Sequence, residues 1–343
     1  MRRSIFSYYL NFISMIMLTT CCLPSCDVHE SPAEELYDLD KEHTVSVTVS
    51  HTLDMDESSY SYDISRAVRA DATDSRHCVR YVFRAFPSGN TKTCVFDTTI
   101  YSLDLMRGDF TTQLTLPTTT RGYDMWIWSD YVDRESRSEL YYKASTFDGV
   151  SHGDSYVGNS EFKDCFLGSF SIGIHSRDDN HQASVTMARP VGRYAVVATD
   201  LAEFMKQQGV SLASLSGWKV RVVYPSYTPS SVNLFNNDIN NIVTNVSYES
   251  PITVDSSDPT RALLGFDYVM LSNSTGDGVG VAIQLYLISP SGNISAMSST
   301  INVPMRRNRN TVVAGRFLTS SYTQGSGGVG INYSYAGEYV IFI

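Results

Sequence analysis

Cysteine is scarce in this chain, with six in 343 residues, and three of them (Cys21, Cys22 and Cys26) crowd the N-terminal leader. The body keeps only Cys78, Cys94 and Cys165, and no C-x-x-C pair occurs. That excludes a zinc ribbon and a disulfide-built miniature fold. One disulfide with a spare thiol and three buried thiols both fit this count. Three buried thiols are the favoured reading, because a tight register across the turn Pro87-Ser88-Gly89-Asn90 sets Cys94 near Phe83 or Arg84, not Cys78. The histidines His29, His43, His51, His77, His152, His175 and His181 never fall at H-E-x-x-H spacing, so no metal centre is expected. Positive charge is also in deficit: 26 Lys and Arg stand against 36 Asp and Glu, a net of -10. Such a chain has no electrostatic footprint for nucleic acid. No apolar run is long enough for a permanent span, which takes about 20 residues; Ile5 to Leu18 is interrupted by Ser7, Asn11 and Ser14.

Catalytic and cofactor signatures are missing too. Gly276-Asp277-Gly278-Val279-Gly280 opens a strand instead of leading one into a helix, so it is a turn and no nucleotide loop. Ser326 lies between glycines without the strand-to-helix elbow of a hydrolase. Asp255, Asp258 and Asp277 lack EF-hand spacing. Arg306, Arg307 and Arg309 make a small basic run that suits an acidic partner or a solvated turn. The expectation is a protein without cofactor, metal or catalytic site.

What is present starts with Leu23-Pro24-Ser25-Cys26. An apolar residue three places before a cysteine, a small residue directly before it, and a leader of Arg2 and Arg3 followed by apolar residues form a lipobox. Residues 1–25 read as a lipoprotein signal peptide, and Cys26 as the thiol that takes the diacylglycerol. Each buried methylene of such an anchor contributes about 0.8 kcal/mol, so it holds the chain to the outer-membrane lipid unaided. Cleavage removes two arginines and no acid, moving the net charge from -10 to -12. Residues 26–43, with Asp27, Glu30, Glu34, Glu35, Asp38, Asp40 and Glu42, are acidic and apolar-poor, a solvated tether.

The body reads as β throughout. Thr44 to Leu53 alternates Val45, Val47 and Val49 with Thr and Ser, the period of a half-buried strand. A polar stretch, Ser58 to Ser75, follows. His77 to Phe86 puts Val79, Tyr81, Phe83 and Ala85 on one face and Arg80 and Arg84 on the other. Further strands are expected over Lys92–Tyr101, Asp109–Leu116, Gly122–Ser129, Cys165–Ile174 and Gln182–Ala188, with an irregular region from Tyr131 to Lys163. Trp126 and Trp128 share one strand face, as core aromatics do; exposed, they would make a carbohydrate platform.

Arg189-Pro190 marks a domain boundary, since proline lacks the ladder donor and extends its predecessor. After a strand over Arg193–Thr199, Asp200-Leu201-Ala202-Glu203 has capping-box spacing, and Gly209 stops the helix it opens. A second set of strands is expected over Trp218–Tyr224, Val243–Tyr248, Leu263–Leu271, Val281–Ile288, Ile294–Val303, Thr311–Leu318 and Tyr339–Ile343. The layout is all-β: two tandem antiparallel sandwiches, 44–188 and 189–343, with one short helix in the second.

Particular strings then stand out: Arg189-Pro190-Val191-Gly192-Arg193-Tyr194 running into Thr199-Asp200-Leu201, Leu264-Gly265-Phe266-Asp267-Tyr268-Val269, Val303-Pro304-Met305-Arg306-Arg307-Asn308 with Thr311, and Gly327-Gly328-Val329-Gly330-Ile331-Asn332 ending in Gly337-Glu338-Tyr339. Trp128-Ser129-Asp130-Tyr131-Val132 and Asp164-Cys165-Phe166-Leu167-Gly168 fit the same pattern, with Cys165 departing from an expected small residue. Together, from about His43 onward, they resemble an uncharacterised family of Bacteroidetes lipoproteins, similar in turn to the fimbrillin superfamily with its fimbrial anchoring subunits. Acidic residues just after a lipid-bearing cysteine resemble the signal that sends such lipoproteins to the outer face. The resemblance implies transthyretin-like sandwiches and assembly with other fimbrial subunits, in which a β-strand from one subunit completes the sheet of the next. It also implies that cleavage by an arginine-specific protease at Arg66 or Arg69 would release the first strand together with the lipid. The functional expectation is a cell-surface structural or adhesive lipoprotein; the alternative is a monomeric surface lipoprotein that binds a host glycan or protein.

Overall fold

The computed structural model describes residues 42–57, 75–104, 106, 108–117, 122–173, 180–273, 279–319 and 340–342. Cys26, the leader, Arg66, Arg69, Asp277, Ser326 and the glycine-rich string from Gly327 lie outside them. In chain order the first half holds β1 (Glu42–His51), β2 (Asp56–Glu57), β3 (His77–Pro87), β4 (Phe96–Ser102), β5 (Phe110–Pro117), β6 (Tyr123–Asp133), β7 (Tyr142–Lys143), β8 (Val150–His152), a 3-10 turn at Glu161–Lys163, β9 (Cys165–Ile172) and β10 (Asn180–Met187). The second half holds β11 (Val191–Ala198), α1 (Leu201–Gln208), β12 (Lys219–Tyr224), β13 (Thr228–Asn233), β14 (Asp238–Val243), β15 (Val246–Pro251), β16 (Thr253–Val254), β17 (Ala262–Met270), β18 (Val279–Ile288), β19 (Ile294–Met297), β20 (Ile301–Met305), β21 (Arg309–Gly315) and β22 (Val340–Phe342). The fold is all-β, built as tandem sandwiches, as the alternation in the sequence implies.

β1 lies between β10 and β5 in a three-stranded sheet. Its Val45, Val47 and Val49 are fully buried while the intervening Thr and Ser stay half-exposed. Burying each valine contributes about 1.5–3 kcal/mol relative to leaving it in water, which fixes which face of β1 turns inward. That face packs on the sheet β4-β3-β6-β9 through Val79, Tyr81, Phe83, Met125 and Ile127. The second sandwich pairs β16-β17-β11-β21 with β15-β12-β18-β19, and β20 adds to β18. The pairings are mostly antiparallel, but β1–β10, β11–β21, β2–β21 and β21–β22 are parallel, a departure from the purely antiparallel expectation.

The irregular region expected from Tyr131 to Lys163 contains structure. β7 and β8 join β13 and β14 in a small sheet that draws strands from both halves of the chain. Phe147, Val232 and Leu234 join the core on the far face of β3 and β6, so β3 is buried on both faces. Arg80 and Arg84, which the alternation sets toward solvent, are therefore sealed. Arg80 forks onto Asp130 at 2.9 and 2.7 Å and reaches Glu139 at 2.7 Å. Arg84 bonds Asp97 at 2.9 Å and stacks 4.4 Å from the Phe147 ring. Arg84 also pairs in register with Asp97, and Cys94 precedes β4 as an exposed free thiol. Cys78 and Cys165 are buried and unbridged, so the expectation of three buried thiols holds for two.

α1 forms where its cap spacing sets it and stops at Gly209, whose φ of 62° is the left-handed value that suits glycine. The capping box itself does not close. The Asp200 carboxylate instead accepts from the Leu318 and Thr319 amides (3.2 and 2.8 Å) and from the Thr319 hydroxyl (2.7 Å). Glu203 pairs with Arg316. A segment more than a hundred residues away outcompetes the local cap.

Candidate functional site

Two features stand out in the described residues: a first strand that continues as a strap onto the second sandwich, and a polar joint beneath that strap. After His51 the chain leaves β1, with the Thr52 amide donating to the Met187 carbonyl at 3.0 Å. The Arg189 guanidinium then clasps the extended backbone. It donates to Thr52 O at 2.7 Å and Leu53 O at 2.9 Å, to Asp164 at 2.8 and 3.0 Å, and to Asn308 Oδ1 at 2.8 Å. Its plane lies 4.6 Å from the Phe166 ring. Only a planar guanidinium has enough donors in one plane to hold two carbonyls and a carboxylate at once. Asn308 Nδ2 donates to Asp54 O at 3.2 Å, and β2 then pairs in parallel with Arg309 and Asn310. The edge of β21 away from β11 is thus shared end to end by β2 and β22.

His51 closes β1 in a largely apolar corner against Tyr81 and Phe166, with Nε2 3.3 Å from Ser129 Oγ. Loss of solvent and then the neighbouring Arg189 pull its pKa down to about 4, with Asp109 opposing. The neutral imidazole is the form this seat accepts.

Below the strap, the 3-10 turn and the Asp164 that ends it supply three charges within four residues to the second half. Glu161 takes Arg193 at 2.7 Å and the Tyr268 hydroxyl at 2.5 Å. Lys163 meets Asp267 at 2.7 Å, and Asp164 holds Arg189. Tyr156 and Tyr224 donate to Asp267 Oδ2 at 2.5 and 2.6 Å, and Tyr194 links Tyr224 to Tyr248. Gly158 lets the chain pass the Tyr248 ring, where a Cβ would come within 2.4 Å. Burial, and then the charge of Asp267, raise the Tyr156 and Tyr224 pKa values well above ordinary, so both phenols stay protonated donors.

The residues singled out from the sequence fall elsewhere. Trp128 is fully buried, edge-on to Tyr142, and Trp126 is half-buried, edge-on to Phe235. The small sheet β14-β13-β8-β7 covers their face, and Trp128 keeps no exposed surface. Asp255 and Asp258 accept from Ser257 and Thr260 in local turns. Arg307 donates to the carbonyls of Leu271 and Asn237. His77 stacks on Phe162, and His152 is half-buried with a pKa pulled down to about 3 by desolvation and then by Lys163. The described residues include no group of three metal-capable side chains and no helix long and apolar enough to cross a membrane. Sequence reasoning missed the clasp and the joint. The signal for the joint was Asp267, a carboxylate inside the apolar run Ala262–Met270 that must find a buried cation.

Over residues 40–342 the chain matches a family of unknown function, DUF6562. It belongs to that family. No curated protein matches it. Among solved structures it is similar to a candidate cell adhesion protein from Bacteroides eggerthii, at 9% identity and a TM-score of 0.44, covering 82% of this chain and 89% of that one. A fimbrial assembly protein from Parabacteroides distasonis is similar at 9% identity and a TM-score of 0.38, over 80% and 91% of the two chains. The fimbrial anchor protein Mfa2 from Porphyromonas gingivalis is similar at 9% identity and 0.36, over 74% and 82%.

Proposed function

We propose that this DUF6562 member is a surface-exposed, lipid-anchored outer-membrane protein of fimbrillin-like type, with a structural or adhesive role as a fimbrial anchor or accessory subunit. The observation that carries the reading is the N-terminal segment. The chain that leaves the lipobox and acidic tether enters the fold as β1, flanked on both sides by strands, and continues as a strap onto the second sandwich. A strand seated by main-chain bonds and three alternate valines is the kind of element that strand complementation exchanges. The sequence strings that resemble fimbrillin-related lipoproteins support the same reading. Cys26 carries the lipid, and Arg66 and Arg69 follow β1 and β2 where a cut would free the segment.

The test is the N-terminus of the protein purified from its own outer membrane, read by mass spectrometry. Lipidated Cys26 in a monomer identifies an anchor or solitary lipoprotein. A new N-terminus at Ala67 or Ala70 in a detergent-resistant ladder identifies a polymerising subunit. A chain with neither lipid nor cleavage, shielded from protease added to whole cells, sinks the proposal. The alternative, a monomeric lipoprotein that binds host glycan or protein, rests on Tyr227, a residue 72% exposed.

A further inference from the structure

Lys163 and Asp267 face each other from the two halves of the chain in a site without solvent: their side chains are 2% and 0% exposed, and Nζ lies 2.7 Å from Oδ1. The Tyr156 ring sits 3.9 Å from Nζ. The Tyr142 hydroxyl donates to the Lys163 carbonyl at 2.7 Å, which pins the base of the lysine. On the carboxyl, Oδ1 also takes the Tyr268 amide at 2.8 Å, while Oδ2 takes the hydroxyls of Tyr156 and Tyr224. Two ions buried this deeply lose most of the solvation that favours their charged forms, and moving one proton from Nζ to Oδ1 leaves a neutral amine against a neutral acid. Burial drives Lys163 in that direction, holding its ammonium below the ordinary value against the pull of Asp267. The two phenols on Oδ2 are donors aimed where negative charge would develop if the carboxyl carbon were attacked.

We propose that Lys163 and Asp267 join in an intramolecular amide that covalently staples the first half of the fold to the second. Nζ, having given one proton to Oδ1, attacks Cγ with its lone pair. The C=O electron pair moves onto Oδ2, which Tyr156 and Tyr224 hold. Nζ gives a second proton to the Oδ1 hydroxyl, the Cγ–Oδ1 bond breaks, water leaves and the C=O re-forms. The sum is one ammonium plus one carboxylate giving one amide plus one water, with no oxidant and no co-reactant. Fixing the two groups in contact replaces an encounter between separate molecules by an effective concentration of about 10⁵–10⁸ M. The link closes a loop across 104 positions of sequence. It is independent of the fimbrial reading, since it needs only the folded chain.

The test is peptide mapping of the unaltered protein isolated from its membrane. The expected result is a branched tryptic peptide in which Lys163 resists cleavage and carries the Asp267 peptide on its side chain, one water lighter than the two separate peptides combined. Recovery of both peptides unlinked at their unmodified masses overturns the proposal. Asp267→Asn is expected to give the same branch by loss of ammonia, and Lys163→Arg none. Tyr224→Phe is expected to slow the appearance of the branch after refolding by about 100-fold; an unchanged rate overturns the role given to the phenols.

Discussion

At the scale of single residues, burial changes chemistry. Trp128 and Arg80 share the face of the β3–β6 pair that the small sheet β14-β13-β8-β7 covers, and each finds a partner there: Tyr142 for one, Asp130 and Glu139 for the other. His51 shows the same effect with a measurable outcome. Its folded pKa, about 4, lies below the ordinary 6.5. Between those two values the unfolded chain binds a proton that the folded protein refuses. The stabilisation is therefore complete above pH 6.5, declines as pH falls, and is gone below about 4. The difference corresponds to at most about 3 kcal/mol. Urea unfolding from pH 7 to pH 4 is expected to show this fall, and His51→Gln is expected to flatten it; an equal slope in both proteins would refute the assignment. His152, with a folded pKa of about 3, adds a slope in the same direction that the substitution leaves in place.

At the scale of elements, competition between partners decides what a local signal becomes. Asp200 has the right spacing for a cap, yet its carboxylate satisfies the amides of Leu318 and Thr319, because those buried donors have more to lose if left unpaired. The strap is the second case. Among the described residues Thr52 and Leu53 have no ladder partner for the carbonyls that Arg189 holds, and the guanidinium takes the place of a neighbouring strand. Arg189→Ala is expected to leave Asp164 as a buried, unpaired carboxylate and to cost about 3–5 kcal/mol. Limited proteolysis is the direct readout. The strap should become cleavable around Leu53 while the β3–β6 sheet stays resistant, and unchanged protection of the strap would show that Arg189 does not hold it.

At the scale of the whole molecule, the first strand is part of the core. Removing it strips three buried valines from the first sandwich and leaves β10 and β5 with open facing edges. A chain beginning at Ala67 is expected to aggregate alone, because unpaired edges recruit other strands. A peptide of residues 42–57 supplied during refolding is expected to restore a soluble monomer, read by size-exclusion chromatography. A soluble monomer without the peptide would show that β1 is dispensable. Strand identity was largely legible beforehand: β1, β3, β5, β9, β12, β17 and β18 fall where the alternation sets them. β13 was not, since Thr228-Pro229-Ser230-Ser231 lies outside every expected strand and carries no apolar alternation; it pairs with β14 and β8. The candidate site was legible only in fragments. Arg189 was visible as a junction residue but not as a clasp, and Lys163 fell in a region read as irregular.

The sequence by itself determined the period of two that makes β-strands, the stop of α1 at Gly209, the scarcity of thiols and the lipobox, because each depends on neighbours within a few residues. The tertiary structure alone decided that β3 is covered on both faces, that the Asp200 carboxylate accepts from Leu318 and Thr319 instead of capping its own helix, and that Lys163 meets Asp267. Those outcomes depend on which partners remain for buried charges and amides once water is excluded, and these partners lie 50 to 119 residues away along the chain.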